Sequence, residues 1–244
     1  MNRFFVSPEA IDGTTVHIPE EISAQIRKVL RLKEGTAVQF LDDQGWLYEC
    51  NIHYLDPKNL TAEIIQKRIA EGEPACRISL YIGLTQREKF EWILQKCTEA
   101  GVGRIIPIIT ERSLIRKPSD VSGKQERWEK ILKEAAEQCG RGRIPTLSPV
   151  ENFDQALRSG INADKALFCW ENEKQASLRS ILSPVRNTVR NISIMIGPEG
   201  GFSEEEAASA LSGGWLPVTL GKRIYRMETA AVASVILSLY EIEQ

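Results

Sequence analysis

No apolar run in this chain approaches the roughly 20 residues that a membrane-crossing helix requires. The amino terminus, MNRFFVSPEAIDG, has neither a long apolar core nor a small-residue cleavage site, so no secretory signal is expected. The five cysteines (Cys50, Cys76, Cys97, Cys139, Cys169) are scattered, odd in number and without a C-x-x-C pair. That pattern argues against a disulfide framework and against a zinc ribbon. It fits small buried residues in a reducing compartment, and the expectation is a soluble, cytoplasmic protein without a metal. An excess of positive charge is missing as well: the net charge is -2, which excludes a uniformly basic nucleic-acid coat but not local basic patches. No internal repeat and no low-complexity tract is present.

A chain of 244 residues can bury a substantial core, and its patterning divides it in two. From Thr36 to Lys67 the runs TAVQFL, WLYECNIHYL and LTAEIIQK are short and β-rich, separated by the turn sequences DDQG and DPKN. A small antiparallel sheet or barrel follows. Ahead of it, PEEISAQIRKVLRL places Ile22, Ile26, Val29 and Leu30 at helical spacing, with Pro19 in a first turn. AEGEPACR carries turn residues and no periodicity, which puts a domain boundary there: residues 1–72, then 73–244.

Beyond the boundary, strands and helices alternate. RISLYIGL precedes a helix with Phe90, Ile93, Leu94 and Cys97 on one face, then RIIPII; a second helix uses Trp128, Ile131, Leu132, Ala135 and Cys139 and stops at Gly140. The strands KALFCW, ISIMIG and WLPVTLG follow. Near-continuous apolar strands between helices imply an α/β fold with a mostly parallel sheet covered on both faces. The last helix, roughly residues 228–242, groups Val232, Val235, Ile236 and Leu239, with small residues over much of the remainder that permit close packing on its own sheet or on another subunit.

Two loops carry the chemistry. IGPEGGFSEEE runs from an apolar strand through three glycines into a helix start, where Ser203 and Glu206 have capping-box spacing. It fits neither G-x-G-x-x-G nor a P-loop, so a phosphate cradle is not indicated. A plain strand-to-helix turn and a ligand loop are both compatible with it. VTLGKRIYRMETAAVAS repeats the grammar of strand, glycine, compact insertion and helix start. Two such loops at strand carboxyl ends could line one cleft, because open α/β sheets bind ligands there and glycine lets the backbone approach closely.

Read together, IGPEGGFSEEE and LGKRIYRMETA closely resemble the paired motifs of the RsmE family, methyltransferases acting on N3 of a uridine in 16S ribosomal RNA. RFF at the start, VLRLKEG, KCTEAGVGRIIPIITERS and EAAEQCGRGRIP extend the resemblance over most of the chain. It implies the SPOUT class: a C-terminal α/β trefoil knot binding S-adenosylmethionine, a PUA-like N-terminal β-barrel contacting RNA, and a homodimer. By the same resemblance Ile196, Gly197, Gly201, Leu220, Gly221, Ile224 and Arg226 hold the cofactor, with Phe168 to Glu171 as a third wall. Uracil N3 is protonated at neutral pH, so a base or a compensating positive charge is needed. Arg226, Glu228 and Arg141 are the candidates, with Arg112 a further charge stabiliser or phosphate clamp. Arg3, Arg27, Lys28, Arg31, Lys33 and Arg112 are the expected RNA contacts, joined by the GRGR segment. The chain departs from the family at Ala24 and Gln25, where a histidine is common, and at Tyr225, where leucine is common. A related enzyme with another acceptor, and a non-catalytic ribosome assembly factor, are the competing readings.

Overall fold

The computed structural model describes residues 1–54 and 60–243; the expected DPKN turn lies outside them. Among the described residues, no helix is long and apolar enough to cross a membrane. The chain forms two compact units, one of residues 1–73 with 136–144, the other of residues 74–135 with 145–244.

The first unit contains β1 (Arg3–Phe5), β2 (Ile11–Asp12), β3 (Thr15–His17), α1 (Glu20–Ala24), β4 (Ala37–Leu41), β5 (Trp46–Tyr54) and β6 (Leu60–Ile69). They make one curled sheet in the order β1-β4-β5-β6-β3-β2, antiparallel except for β1 on β4. Strand alternation sorts neighbours between two clusters. Phe4, Phe40 and Tyr48 join Val16, Ile22, Ile26 and Ile52 in the main core, whereas Phe5, Leu41 and Leu47 face Ala70 and Ala136.

That second cluster explains why residues 136–144 belong with the first unit. Glu137 accepts the Phe5 N–H at 2.9 Å, and the buried Arg141 guanidinium makes a two-pronged pair with Glu73, at 3.2 and 2.9 Å. A side chain at Gly142 would meet the Ala70 Cβ at 2.6 Å, so only glycine fits there.

The expected helix before β4 is broken in two. α1 passes at Gln25 into a π-helical turn that ends at Arg31, held at φ 51°. The wider i→i+5 winding changes the phase of the apolar stripe. Ile22 and Ile26 remain buried as expected, but Val29 is 72 % exposed. Pro19 sits just before α1, as its cap, rather than inside its first turn.

The second unit contains β7 (Arg77–Gly83), α2 (Arg87–Glu99), β8 (Arg104–Ile109), α3 (Gln125–Cys139), β9 (Thr146–Leu147), β10 (Glu151–Asn152), α4 (Phe153–Gly160), β11 (Lys165–Cys169), α5 (Leu178–Leu182), β12 (Asn191–Ile196), α6 (Glu204–Ser212), β13 (Leu216–Val218) and α7 (Met227–Ile242). The last four residues of α3 are those assigned to the first unit. Its sheet is parallel throughout, ordered β10-β8-β7-β12-β11-β13 with β9 beside β8. Tyr81, Phe168 and Met195 point into a cluster shared with α4 and α6, and α7 packs on β7 and β12.

α7 is rotated from its expected phase. Val235 and Leu239 are buried, but so are Ala231, Ser234 and Ser238, while Ile236, Leu237 and Tyr240 are exposed. Small residues therefore face inward, where they let the helix approach closely, and a good part of the large apolar surface faces out.

Two stability effects follow. Glu73→Ala removes the two charge-assisted hydrogen bonds that its carboxylate makes with the buried Arg141 guanidinium and should lower the unfolding free energy by roughly 2–4 kcal/mol in denaturant titrations. In the second unit, Glu91 on α2 accepts Arg127 at 2.5 and 2.8 Å and Arg87 at 2.9 Å. The Arg127 hydrogen bonds, opposed by burial and helped by Arg87, bring its carboxyl from 4.5 down to about 2. A lowered folded-state value stabilises above the unfolded value and is lost on acidification. Glu91→Gln should therefore lower the Tm by about 2–4 °C at pH 7, with the gap to the unsubstituted protein closing between pH 4.5 and 2.

Candidate functional site

β11 lies between β12 and β13, and the ladder sets Cys169 opposite both Ile196 and Val218. The three carboxyl ends therefore stand level. The two glycine-loop strands are not direct neighbours: each pairs with β11, which supplies the third wall. Loops leave all three ends and enclose a cavity of about 530 Å³.

The loop after β12 is stiff. Gly201 N–H closes a turn on the Pro198 carbonyl at 2.9 Å, and Gly201 takes φ +68°. A side chain there would be strained, and its Cβ would meet the Glu171 carboxylate at 3.0 Å. Beneath the loop, Phe202 stacks on Phe168 with centroids 4.4 Å apart. Ser203 caps α6, accepting the Glu206 N–H at 3.2 Å. The strand-to-helix reading of IGPEGGFSEEE is thus correct as local structure, and the same loop also lines the cavity.

The loop after β13 is tied to the loop after β11. Trp170 N–H donates to the Val218 carbonyl at 3.2 Å, and Thr219 N–H to the Ala176 carbonyl at 2.8 Å. Gly221 takes φ +121°, with open space where a Cβ would project. Arg226 caps α7, whose first turn carries Glu228. Tyr225 is half-buried, and its hydroxyl accepts from Arg223 at 3.3 Å.

Ile196, Gly197 and Gly201 line the cavity from one side. Leu220, Gly221, Ile224 and Arg226 line it from the other, together with Glu228, and Cys169, Trp170 and Glu171 complete the wall. Ile224 is 81 % exposed, a large apolar side chain held open to solvent at the rim. Burial pushes the Cys169 thiol up to about 12, which favours the neutral thiol at neutral pH.

Arg141, expected at the catalytic site, does not line this cavity; it is buried in the first unit, where it pairs with Glu73 at 2.9 Å. Arg112 lies beside the glycine loop without lining the cavity, and donates to the Gly200 carbonyl at 3.2 Å. In the first unit, Lys28, Arg31 and Lys33 are exposed, while Arg27 is half-buried and donates to the Ser23 carbonyl at 3.3 Å. Arg3 is half-buried and donates to the Gln39 side chain at 2.9 Å. In GRGR, the Arg143 guanidinium donates to the Gln44 carbonyl at 2.7 Å.

Sequence reasoning missed a cluster at the end of β7. The Thr85 hydroxyl and the Lys89 ammonium both donate to Glu199, the latter at 3.1 Å, and Lys89 and Glu199 line the cavity. Burial pushes the Glu199 carboxyl up, but hydrogen bonds from Thr85, its own backbone and Lys89 outweigh this and hold it below the usual carboxylate value. The available signal was the strand-end rule: β7 pairs with β12, so the residues after it reach the same edge of the sheet.

This geometry has close counterparts. The model of the RNA methyltransferase domain matches residues 72–238. The ribosomal RNA small subunit methyltransferase E of Synechocystis is 32% identical over 96% of this chain and 75% of its own length. That of Bacillus subtilis is 29% identical over 100% of this chain and 98% of its own. The crystal structure of the Neisseria gonorrhoeae ribosomal RNA small subunit methyltransferase E bound to S-adenosyl methionine superposes with a TM-score of 0.87 at 30% identity, covering 97% of this chain and 96% of that one. With its own strand-end cavity lined by both glycine motifs, the chain belongs to the ribosomal RNA small subunit methyltransferase E family of RNA methyltransferases.

Proposed function

We propose that this protein methylates N3 of a uridine in 16S ribosomal RNA of the small subunit, with S-adenosylmethionine as methyl donor. The observation that carries the reading is the convergence of both glycine motifs and of Cys169, Trp170 and Glu171 on one cavity, with Phe168 of the expected third wall buried in the core instead. Its size of about 530 Å³ falls within the range of small-molecule sites, ~300–1,000 Å³. Bare backbone at Gly197 and Gly221, and apolar side chains at Ile196, Leu220 and Ile224, suit an adenosine without phosphates. Kinship to the Neisseria enzyme, bound to that cofactor, supports the same assignment.

When bound, the cofactor supplies an electrophilic methyl on a sulfonium. The chain's own task is to hold the acceptor in line and to manage the uracil N3 proton. Glu228 accepts that proton, and Arg226, one turn-start away, balances the negative charge that develops on the base. Residues 1–72, read as a PUA-like barrel, hold the RNA through Arg3, Arg27, Lys28, Arg31 and Lys33, with Arg112 contributing from the methyltransferase domain, residues 73–244. The parallel sheet with both glycine loops at its strand ends is compatible with the C-terminal trefoil knot expected of the SPOUT class. A homodimer is the natural fate of the apolar surface on α2 and α7, where Trp92, Ile236, Leu237 and Tyr240 are exposed. A ribosomal RNA substrate supports the reading of a cytoplasmic protein.

Ile224 makes a clean probe because its exposure uncouples it from folding. Ile224→Ala should leave the Tm within about 2 °C while weakening S-adenosylmethionine binding about 5- to 10-fold in calorimetry, the loss expected for one apolar contact. Unaltered affinity would place the cofactor elsewhere. In a deletion strain, nucleoside mass spectrometry should find 16S ribosomal RNA without N3-methyluridine, restored by the intact gene and not by Arg226→Ala. Persistence of that nucleoside, with loss of a different one, would assign another acceptor.

A further inference from the structure

A capping box needs only one carboxylate oxygen of its glutamate. Glu206 uses both. Its Oε2 accepts the Ser203 N–H at 3.0 Å, closing the box, while its Oε1 accepts the Glu111 N–H at 2.8 Å. The carboxylate is buried, with 8 % of the residue exposed, at the start of α6 where the helix dipole favours negative charge.

Glu111 belongs to a tight turn after β8. Ser113 N–H bonds to the Thr110 carbonyl at 3.1 Å, and the Ser113 hydroxyl accepts the Thr110 N–H at 2.9 Å. Arg112 sits at the third position of that turn. It reaches the Gly200 carbonyl, and a Cβ on Gly200 would stand 3.1 Å from the Arg112 Cβ. One carboxylate therefore bridges the helix that follows the glycine loop and the turn that presents Arg112.

We propose that Glu206 is a positioning residue for RNA: through its bond to the Glu111 N–H it fixes Arg112 beside the glycine loop, where the guanidinium meets a phosphate of the substrate. This rests on the reading of Arg112 as an RNA contact. The capping function and the positioning function sit on different oxygens and can be separated by substitution.

Glu111 occupies the second position of the turn, which accepts proline, so Glu111→Pro deletes the N–H and leaves the capping box intact. Glu206→Gln is the second variant, since an amide keeps only one acceptor oxygen. Steady-state methyl transfer to unmethylated small ribosomal subunits is measured alongside calorimetric binding of S-adenosylmethionine. Arg112→Ala, Glu111→Pro and Glu206→Gln should each raise the KM for the subunit about 5- to 10-fold, with cofactor affinity changed less than about 2-fold. Glu111→Pro combined with Arg112→Ala should be no worse than Arg112→Ala alone, because both remove one contact. If Arg112→Ala raises the KM while the folded Glu111→Pro and Glu206→Gln proteins do not, or if the effects multiply, Glu206 does not position Arg112. If Arg112→Ala itself leaves the KM unchanged, the positioning role falls together with the RNA contact, while cofactor binding still stands on its own measurement.

Discussion

The level ending of β11, β12 and β13 governs everything around the cavity. Parallel strands cannot be joined by hairpins, so each must hand the chain to a loop and helix before the next begins. With Cys169 opposite both Ile196 and Val218, those three hand-overs occur side by side, and their loops have to share the space above the sheet edge. Gly201 and Gly221, both at positive φ, are what allow loops this compact to turn there. Shift any one strand by a residue and its loop would leave the wall, besides turning its core side chains to the opposite face.

Charge around the glycine loop is organised by internal partners. Counted along the sequence, Glu199 and Glu204 to Glu206 look hostile to an RNA substrate. In the fold, Glu199 is neutralised by Lys89 and bonded by Thr85, and Glu206 is turned inward onto two backbone N–H groups. Arg112 is bonded to the loop carbonyl of Gly200, and Arg226 stands at the start of α7. A carboxylate at a helix start thus acts as a fixture for the neighbouring turn, and the cations stay available to a polyanion.

The alternation of strands and helices, the faces of α2 and α3, and the two glycine loops were legible in the sequence, because each rests on local periodicity or on glycine and capping chemistry. What was not legible required partners distant in sequence. Arg141 looks like a free cation until Glu73, 68 positions away, is seen to grip it. Val29 follows helical spacing, and only the π-turn moves it outward. α7 has apolar residues on most of its surface, so its phase is set by which small residues let it approach the sheet, a packing matter that hydrophobicity alone does not encode. Thr85 and Lys89 carry no motif; they join the site because β7 happens to lie beside β12.

The cavity above β11, β12 and β13 is the place proposed for the methyl donor. A crystal structure of this protein with S-adenosylhomocysteine, grown at a concentration that inhibits methyl transfer, tests it directly. The expected result is density for the nucleoside between the backbone of residues 197–201 and that of residues 220–226, close to Ile224. Density at any other place on the chain, with this cavity filled only by solvent, would contradict the account.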